Sequence, residues 1–318
     1  MERHQIPLYL SAIVAGGLFG WLIPAAAEPL EHSINPVLGL LLFATFLGIP
    51  FAKIGQALRD GRFMVTVMIL NFLIVPIIVF GLSRFVGHDR ALLIGVMMVL
   101  LTPCIDYVIV FSGLAGGFSD RLLVAAPLLM LTQMLLLPVY LLIFIGPDLV
   151  SAIEPGPFIE ALIVLIIIPL VAAALTQQWA KRAQAARHIT ALMQNLMVPL
   201  MMLTLAIVIG SQIVGIGQEL RSLLAVIPIY VAFLIIMVPV GIFASRVMRL
   251  DAGSTTAVVF SGATRNSLVV LPLALALPEP LAVVALVVVT QTLVELIGMV
   301  TYVKALPKLI PGSAFKVA

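Results

Sequence analysis

Apolar runs of about twenty residues, separated by short polar or charged breaks, recur along the whole chain. That is the length a helix rising 1.5 Å per residue needs to cross a hydrocarbon core of about 30 Å. The pattern predicts ten spans, at 6–27, 36–54, 63–86, 91–117, 122–146, 157–178, 189–214, 222–246, 254–279 and 281–304. The joins between them leave no room for a soluble domain. The first run follows Arg3 and His4 and ends in Ala25-Ala26-Ala27, the outline of a cleaved signal peptide. Its apolar part approaches twenty residues with no soluble domain after it, so it reads as the first span.

Composition and charge sharpen this picture. The chain is 63% hydrophobic and 10% charged, outside the range of globular domains. A net charge of +3 raises the question of nucleic acid, but the basic residues form no stripe or tail to follow a phosphate backbone. They report topology instead, because cytoplasmic loops hold an excess of Lys and Arg. Arg3, Lys53, Arg59, Arg62, Arg121, Lys181, Arg182, Arg187, Arg246, Arg249, Lys304, Lys308 and Lys316 fall on one side of the ten-span scheme. Only Arg84, Arg90 and Arg221 fall on the other. The bias predicts a multi-pass protein of the cell membrane, plasma or inner, with both termini in the cytoplasm.

Two pairs of segments resemble one another. Phe72-Leu73-Ile74 with Pro76 and Ser83-Arg84 matches Phe233-Leu234-Ile235 with Pro239 and Ser245-Arg246. Leu131-Thr132-Gln133-Met134-Leu135 likewise matches Val289-Thr290-Gln291-Thr292-Leu293. The offsets, 161 and 158 residues, equal five spans, and an odd number inverts the second copy. An inverted repeat of five plus five is a common plan for secondary transporters, which place their sites at the midplane between the copies. Spans four and nine hold equivalent places in the halves. Span four carries Pro103 in its middle and Gly113, Gly116 and Gly117 at its end; span nine carries Ser261-Gly262-Ala263-Thr264 and then Pro272. Proline removes a backbone donor and glycine permits unwinding, so both are candidate broken helices. Broken backbone at that depth is tolerated only inside protein or against a wet cavity.

Three ionisable residues lie deep in the spans: Asp106, Arg265 and Glu295. Each costs about 2.5–3.5 kcal/mol at the bilayer centre on insertion scales, so each needs a partner. If the breaks cross, Asp106 and Arg265 form a natural pair, either a fixed lock or part of a substrate site. Glu295 is left without a match. A charged carboxylate is disfavoured in low dielectric, which suits a proton-coupling group; the alternative is a glutamate hydrogen-bonded to a neighbouring helix. Asn71, Thr132, Gln133, Thr264, Asn266, Ser267, Thr290 and Gln291 lie at comparable depth, mostly on spans three, four, five, nine and ten. Singly such residues glue helices together; as a group they mark a polar core bundle. Cys104, the only cysteine, excludes internal disulfides and cysteine zinc clusters. It is either a small packing residue or, beside Pro103 and two residues from Asp106, a soft ligand.

Pro103-Cys104 in span four, Phe260-Ser-Gly-Ala-Thr-Arg-Asn-Ser267 in span nine and Leu293-Val294-Glu295 in span ten resemble the bile acid/sodium symporter superfamily, and within it the arsenical-resistance (arsenite efflux) permeases. The resemblance implies an all-α fold of ten spans with spans four and nine crossing at their breaks. It implies a core of spans three to five (63–146) and eight to ten (222–304), with spans one and two (6–54) and six and seven (157–214) as a panel. In the arsenite permeases a Pro-Cys of the fourth span supplies the functional thiol, which maps onto Cys104, and a Val-Glu pair of the last span maps onto Glu295. Sodium sites of the bile-acid branch use a Ser-Asn pair after the fourth-span proline, and here Val108 and Ile109 stand there. They also use a glutamate and a glutamine of span nine, aligned with Ser261 and Arg265. The third-span motif survives as Asn71-Phe72 with Pro76. Sodium coupling is therefore not expected.

These readings make the protein a secondary transporter that exports arsenite or a related trivalent metalloid in exchange for protons. Cys104, Asp106, Arg265 and Asn266 are the expected substrate-binding residues. Glu295 and Asp106 would exchange protons, and Asn71, Gln133, Thr264 and Gln291 would supply supporting polar groups. Arg265-Asn266 and Ile105-Asp106 depart from the arsenite pattern, and a complementary reading is an organic-anion transporter with Arg265 on a carboxylate. No cofactor or metal site is expected; the partners are a small inorganic or organic solute, protons and the bilayer. An enzyme with Cys104 as nucleophile lacks a base, since His4, His32, His88 and His188 lie in loops or at span ends.

Overall fold

The computed structural model describes residues 5–48, 61–105, 107–146, 156, 159–160, 163–278 and 281–310. Asp106 lies outside the described residues, as do Arg3, Lys53, Arg59 and Lys316 of the charge count. The elements in chain order are α1 (Gln5–Leu22), α2 (Ala27–Gly48), α3 (Gly61–Ile69), a π-helical stretch (Leu70–Ile74), α4 (Val75–Ser83), α5 (Arg90–Leu100), α6 (Tyr107–Leu114) and α7 (Ser119–Ile145). After a second π-helical stretch (Ile163–Ile167) come α8 (Ile168–Ala180), α9 (Gln184–Gln218), α10 (Leu220–Val247), α11 (Ala252–Ala263), α12 (Ser267–Leu275) and α13 (Val283–Leu309). Among the described residues there are no strands, only an isolated bridge between Pro103 and Arg265.

This is an all-α polytopic membrane protein. Among the described residues five helical stretches are long and apolar enough to cross a bilayer: Pro24–Gly48, Gly61–Val86, Gln184–Gly217, Leu220–Val247 and Val283–Leu309. A sixth counts if Ser119–Gln133 and Leu135–Ile145 form one bent span. Ten spans are predicted, and unbroken helices of that length number five or six among the described residues; the predicted spans four and nine are not among them. Each is divided into two helices, of 11 and 8 residues and of 12 and 9.

The chain forms two compact units. The first comprises Met1–Ile49, Glu154–Arg221 and Leu271–Leu277; the second comprises Pro50–Ile153, Ser222–Val270 and Pro278–Ala318. Within the first, α1 and α9 approach through small residues. A Cβ at Gly20 would lie 2.0 Å from the Gly210 carbonyl oxygen, so only glycine permits the contact. Within the second, α5 lies close against α13, where a Cβ at Gly95 would meet Val287 Cγ1 at 2.6 Å. Every side chain brought together at the two breaks belongs to this second unit.

Candidate functional site

The first halves of the two broken spans begin alike. Asp89 accepts from Leu92 N at 3.1 Å and Asp251 from Ser254 N at 2.8 Å, so each aspartate caps its helix by accepting an amide that would otherwise lack a partner. They end by different means. Pro103 cannot extend α5 and biases the preceding residue away from helix, and the Thr102 hydroxyl lies 3.1 and 2.9 Å from the last-turn carbonyls of Met98 and Val99. Span nine has no proline at its break. Thr264 is extended (φ −85°, ψ 136°), and its hydroxyl donates to Phe260 O at 2.7 Å. Asn266 Oδ1 accepts from Val269 N at 3.2 Å and so starts α12.

The two breaks pair with each other. Cys104 N donates to Thr264 O at 3.1 Å and Asn266 N to Thr102 O at 2.8 Å, an antiparallel rung centred on Pro103 and Arg265. Unwound backbone this deep is thereby satisfied within the protein, as membrane burial demands.

Arg265 is fully buried. Its guanidinium donates from Nη1 to Leu100 O at 3.2 Å, and from Nη2 to Asn71 Oδ1 at 2.8 Å, Ser261 O at 2.8 Å and Gly262 O at 2.5 Å. It also lies over Phe233, 5.4 Å from the ring centroid. Leu100 closes α5, and Ser261 and Gly262 belong to the last turn of α11. Three carbonyls left orphaned at two helix C-termini, with their negative dipole ends, converge on one cation. Asn71 reaches it from the π-helical stretch, and its Nδ2 donates to Ser261 Oγ at 3.0 Å.

Glu295, for which the sequence offers no match, is well partnered. Tyr107 donates to Oε1 at 2.5 Å; the backbone N–H of Arg265 donates to Oε2 at 2.7 Å, and Gln291, one turn earlier on α13, donates to Oε2 as well. The tyrosine hydroxyl also lies 3.2 Å from the Arg265 carbonyl. The carboxylate thus grips the span-nine break by its backbone and the second half of span four by a side chain.

Of the predicted residues, Asn71, Thr264, Arg265, Gln291 and Glu295 belong to this network, and Cys104 and Asn266 sit in the paired backbone. Cys104 is 1% exposed. Gln133 is buried on α7, with no hydrogen bond joining it to the crossing among those described. Asn266 Nδ2, Arg265 Nε and Gln291 Oε1 are buried with no hydrogen-bond partner among the described residues. Two donors and an acceptor of this kind are unusual in a protein interior. Sequence reasoning missed Tyr107 and Phe233. The one available signal for Tyr107 was a hydroxyl three residues past Cys104 in an otherwise apolar run.

A family profile, that of the Sodium Bile acid symporter family, matches residues 35–219, more than half of the chain. The chain belongs to the sodium bile acid symporter family. Members of the sodium bile acid symporter family are membrane transporters rather than enzymes, and this chain is a multi-pass protein that moves a solute across a bilayer. The match includes the span-four break with Pro103 and Cys104 and stops before the span-nine break. No curated protein matched the chain.

Proposed function

We propose that this transporter exports arsenite, or a related trivalent metalloid, by alternating access coupled to proton entry. Its frame is ten spans in an inverted five-plus-five repeat in the cell membrane, with both termini cytoplasmic. The observation that carries the reading is the placement of the chain's only thiol: Cys104 is the first residue after the span-four proline, and its backbone is hydrogen-bonded to the span-nine break. As(OH)3 is uncharged near neutral pH and strongly thiophilic, so one soft ligand holds it without the grip of three. In the binding step an S–As bond forms and an As–O bond breaks. The departing hydroxide takes the thiol proton and leaves as water; release is the reverse. Asn266 Nδ2 and Gln291 Oε1 supply a free donor and a free acceptor to the remaining hydroxyls.

Glu295 carries the proton. Protonation at Oε2, which already accepts from both Gln291 and the Arg265 amide, displaces one of those two contacts. The state of that proton is thereby tied to the geometry of the crossing. Arg265 stands where carbonyl ends would otherwise attract a dissociable cation, which supports transport without sodium. Asp106 is the second candidate proton carrier.

The test is uptake of arsenite into everted membrane vesicles energised by a proton gradient. Wild type accumulates arsenite without sodium; Cys104→Ser abolishes uptake, and Glu295→Gln uncouples it from the gradient. Full activity of Cys104→Ser would exclude the thiol mechanism. The family itself favours a second reading, transport of an organic anion, with the positive N-terminal ends of α6 and α12 facing a carboxylate. Sodium-stimulated uptake of an organic acid, with no arsenite flux, would select it.

A further inference from the structure

An apolar groove of ≈ 670 Å³ lies along the second unit between α10 and α13, walled by residues including Val231, Ile235, Val238, Ile297, Ala305 and Leu309. The two hydroxyls in its wall are already used: Thr301 donates to Ile297 O at 3.0 Å and Tyr302 to Leu234 O. The groove runs on into a smaller hollow of ≈ 400 Å³ that shares Thr301, Ala305 and Leu309 and adds Lys304 and Lys308. These lysines are exposed and one helical turn apart, and neither has an ion-pair partner among the described residues. They follow 21 residues of α13 without another basic group, so the charge sits at one end of a long apolar channel.

We propose that this groove and its two lysines form a binding site for one anionic phospholipid. An acyl chain lies along α10 and α13, and the phosphodiester headgroup rests between Lys304 and Lys308. The two parts have different work to do. Any lipid tail fits an apolar groove about as well as any other, because tails are as apolar as leucine, so the groove retains without selecting. Selection comes from the lysines, since basic clusters at the end of a membrane helix favour anionic headgroups. The Lys and Arg bias of the sequence assigns this end to the cytoplasmic face, the leaflet richer in anionic lipid. The site is separate from the crossing and stands whether the solute is arsenite or an organic acid.

Native mass spectrometry of the full chain in detergent tests this, with phosphatidylglycerol and phosphatidylcholine of identical acyl chains as probes. The expected result is one retained phosphatidylglycerol, preferred roughly thirtyfold, as two lysines facing one phosphate would give at about 1 kcal/mol each. Lys304→Gln/Lys308→Gln should remove the preference but leave weak binding of both lipids, and Ala305→Phe should weaken both alike. Equal binding of the two lipids by wild type would overturn the proposal, as would a preference surviving in the double lysine variant. Displacement by inorganic phosphate alone would show an anion site that does not use the groove, and would equally overturn it. A dimer mass abolished by Ala305→Phe would assign the groove to a second copy and exclude lipid as its occupant.

Discussion

The two broken spans reach the same outcome by different chemistry. Span four is broken by its backbone: Pro103 lacks the amide a helix needs, and Thr102 satisfies the carbonyls left behind. Span nine contains no such fault at the break, and its opening is held by a side chain, since Arg265 reaches back to its own helix end and across to that of α5. One break is therefore local and the other is a tertiary construction on which both depend. In broken membrane helices, a buried cation can be part of the scaffold before it is part of any site.

If that contrast is right, substitutions at the two breaks should be unequal. Arg265→Ala should have the largest effect, about 3–5 kcal/mol, because it strands three carbonyls and Asn71 in the interior. Thermal unfolding in detergent should show a large fall in apparent melting temperature, partly restored by millimolar guanidinium but not by choline. Glu295→Gln comes next. It replaces an acceptor that meets three donors with an amide that brings donors of its own, at about 1.5–3 kcal/mol. Nuclear magnetic resonance or hydrogen exchange at the Arg265 amide should show the loosening. Pro103→Ala should cost least, under about 1 kcal/mol, since the two backbone bonds and Thr102 persist without the ring. Equal melting temperatures for Pro103→Ala and Arg265→Ala would erase the distinction.

The sequence carried both breaks as local signals, Pro103 in one and the Ser261–Thr264 run in the other, although only the first has a local cause. It did not carry the partners of Arg265. Pairing by charge pointed to Asp106, which lies outside the described residues; among the described residues the guanidinium is held mostly by backbone carbonyls, and a carbonyl has no letter in a sequence. Glu295 was singled out by its cost in the membrane, but its donors were not. Tyr107 blends into an aromatic-tolerant span, and an amide of the same residue that carries the guanidinium is invisible to pattern. The all-α, multi-pass character was legible as hydropathy, whereas the helices that meet at the crossing are too short to be recognised as spans by unbroken length.

Cys104 is the only cysteine in the sequence, and it is almost wholly enclosed. The unaltered protein is therefore a single-label specimen. A charged, membrane-impermeant thiol reagent has no path to the sulfur in the arrangement described. Any labelling from one side of the membrane then reports the fraction of time the crossing is open to that side, with no engineered cysteine and no background from a second one.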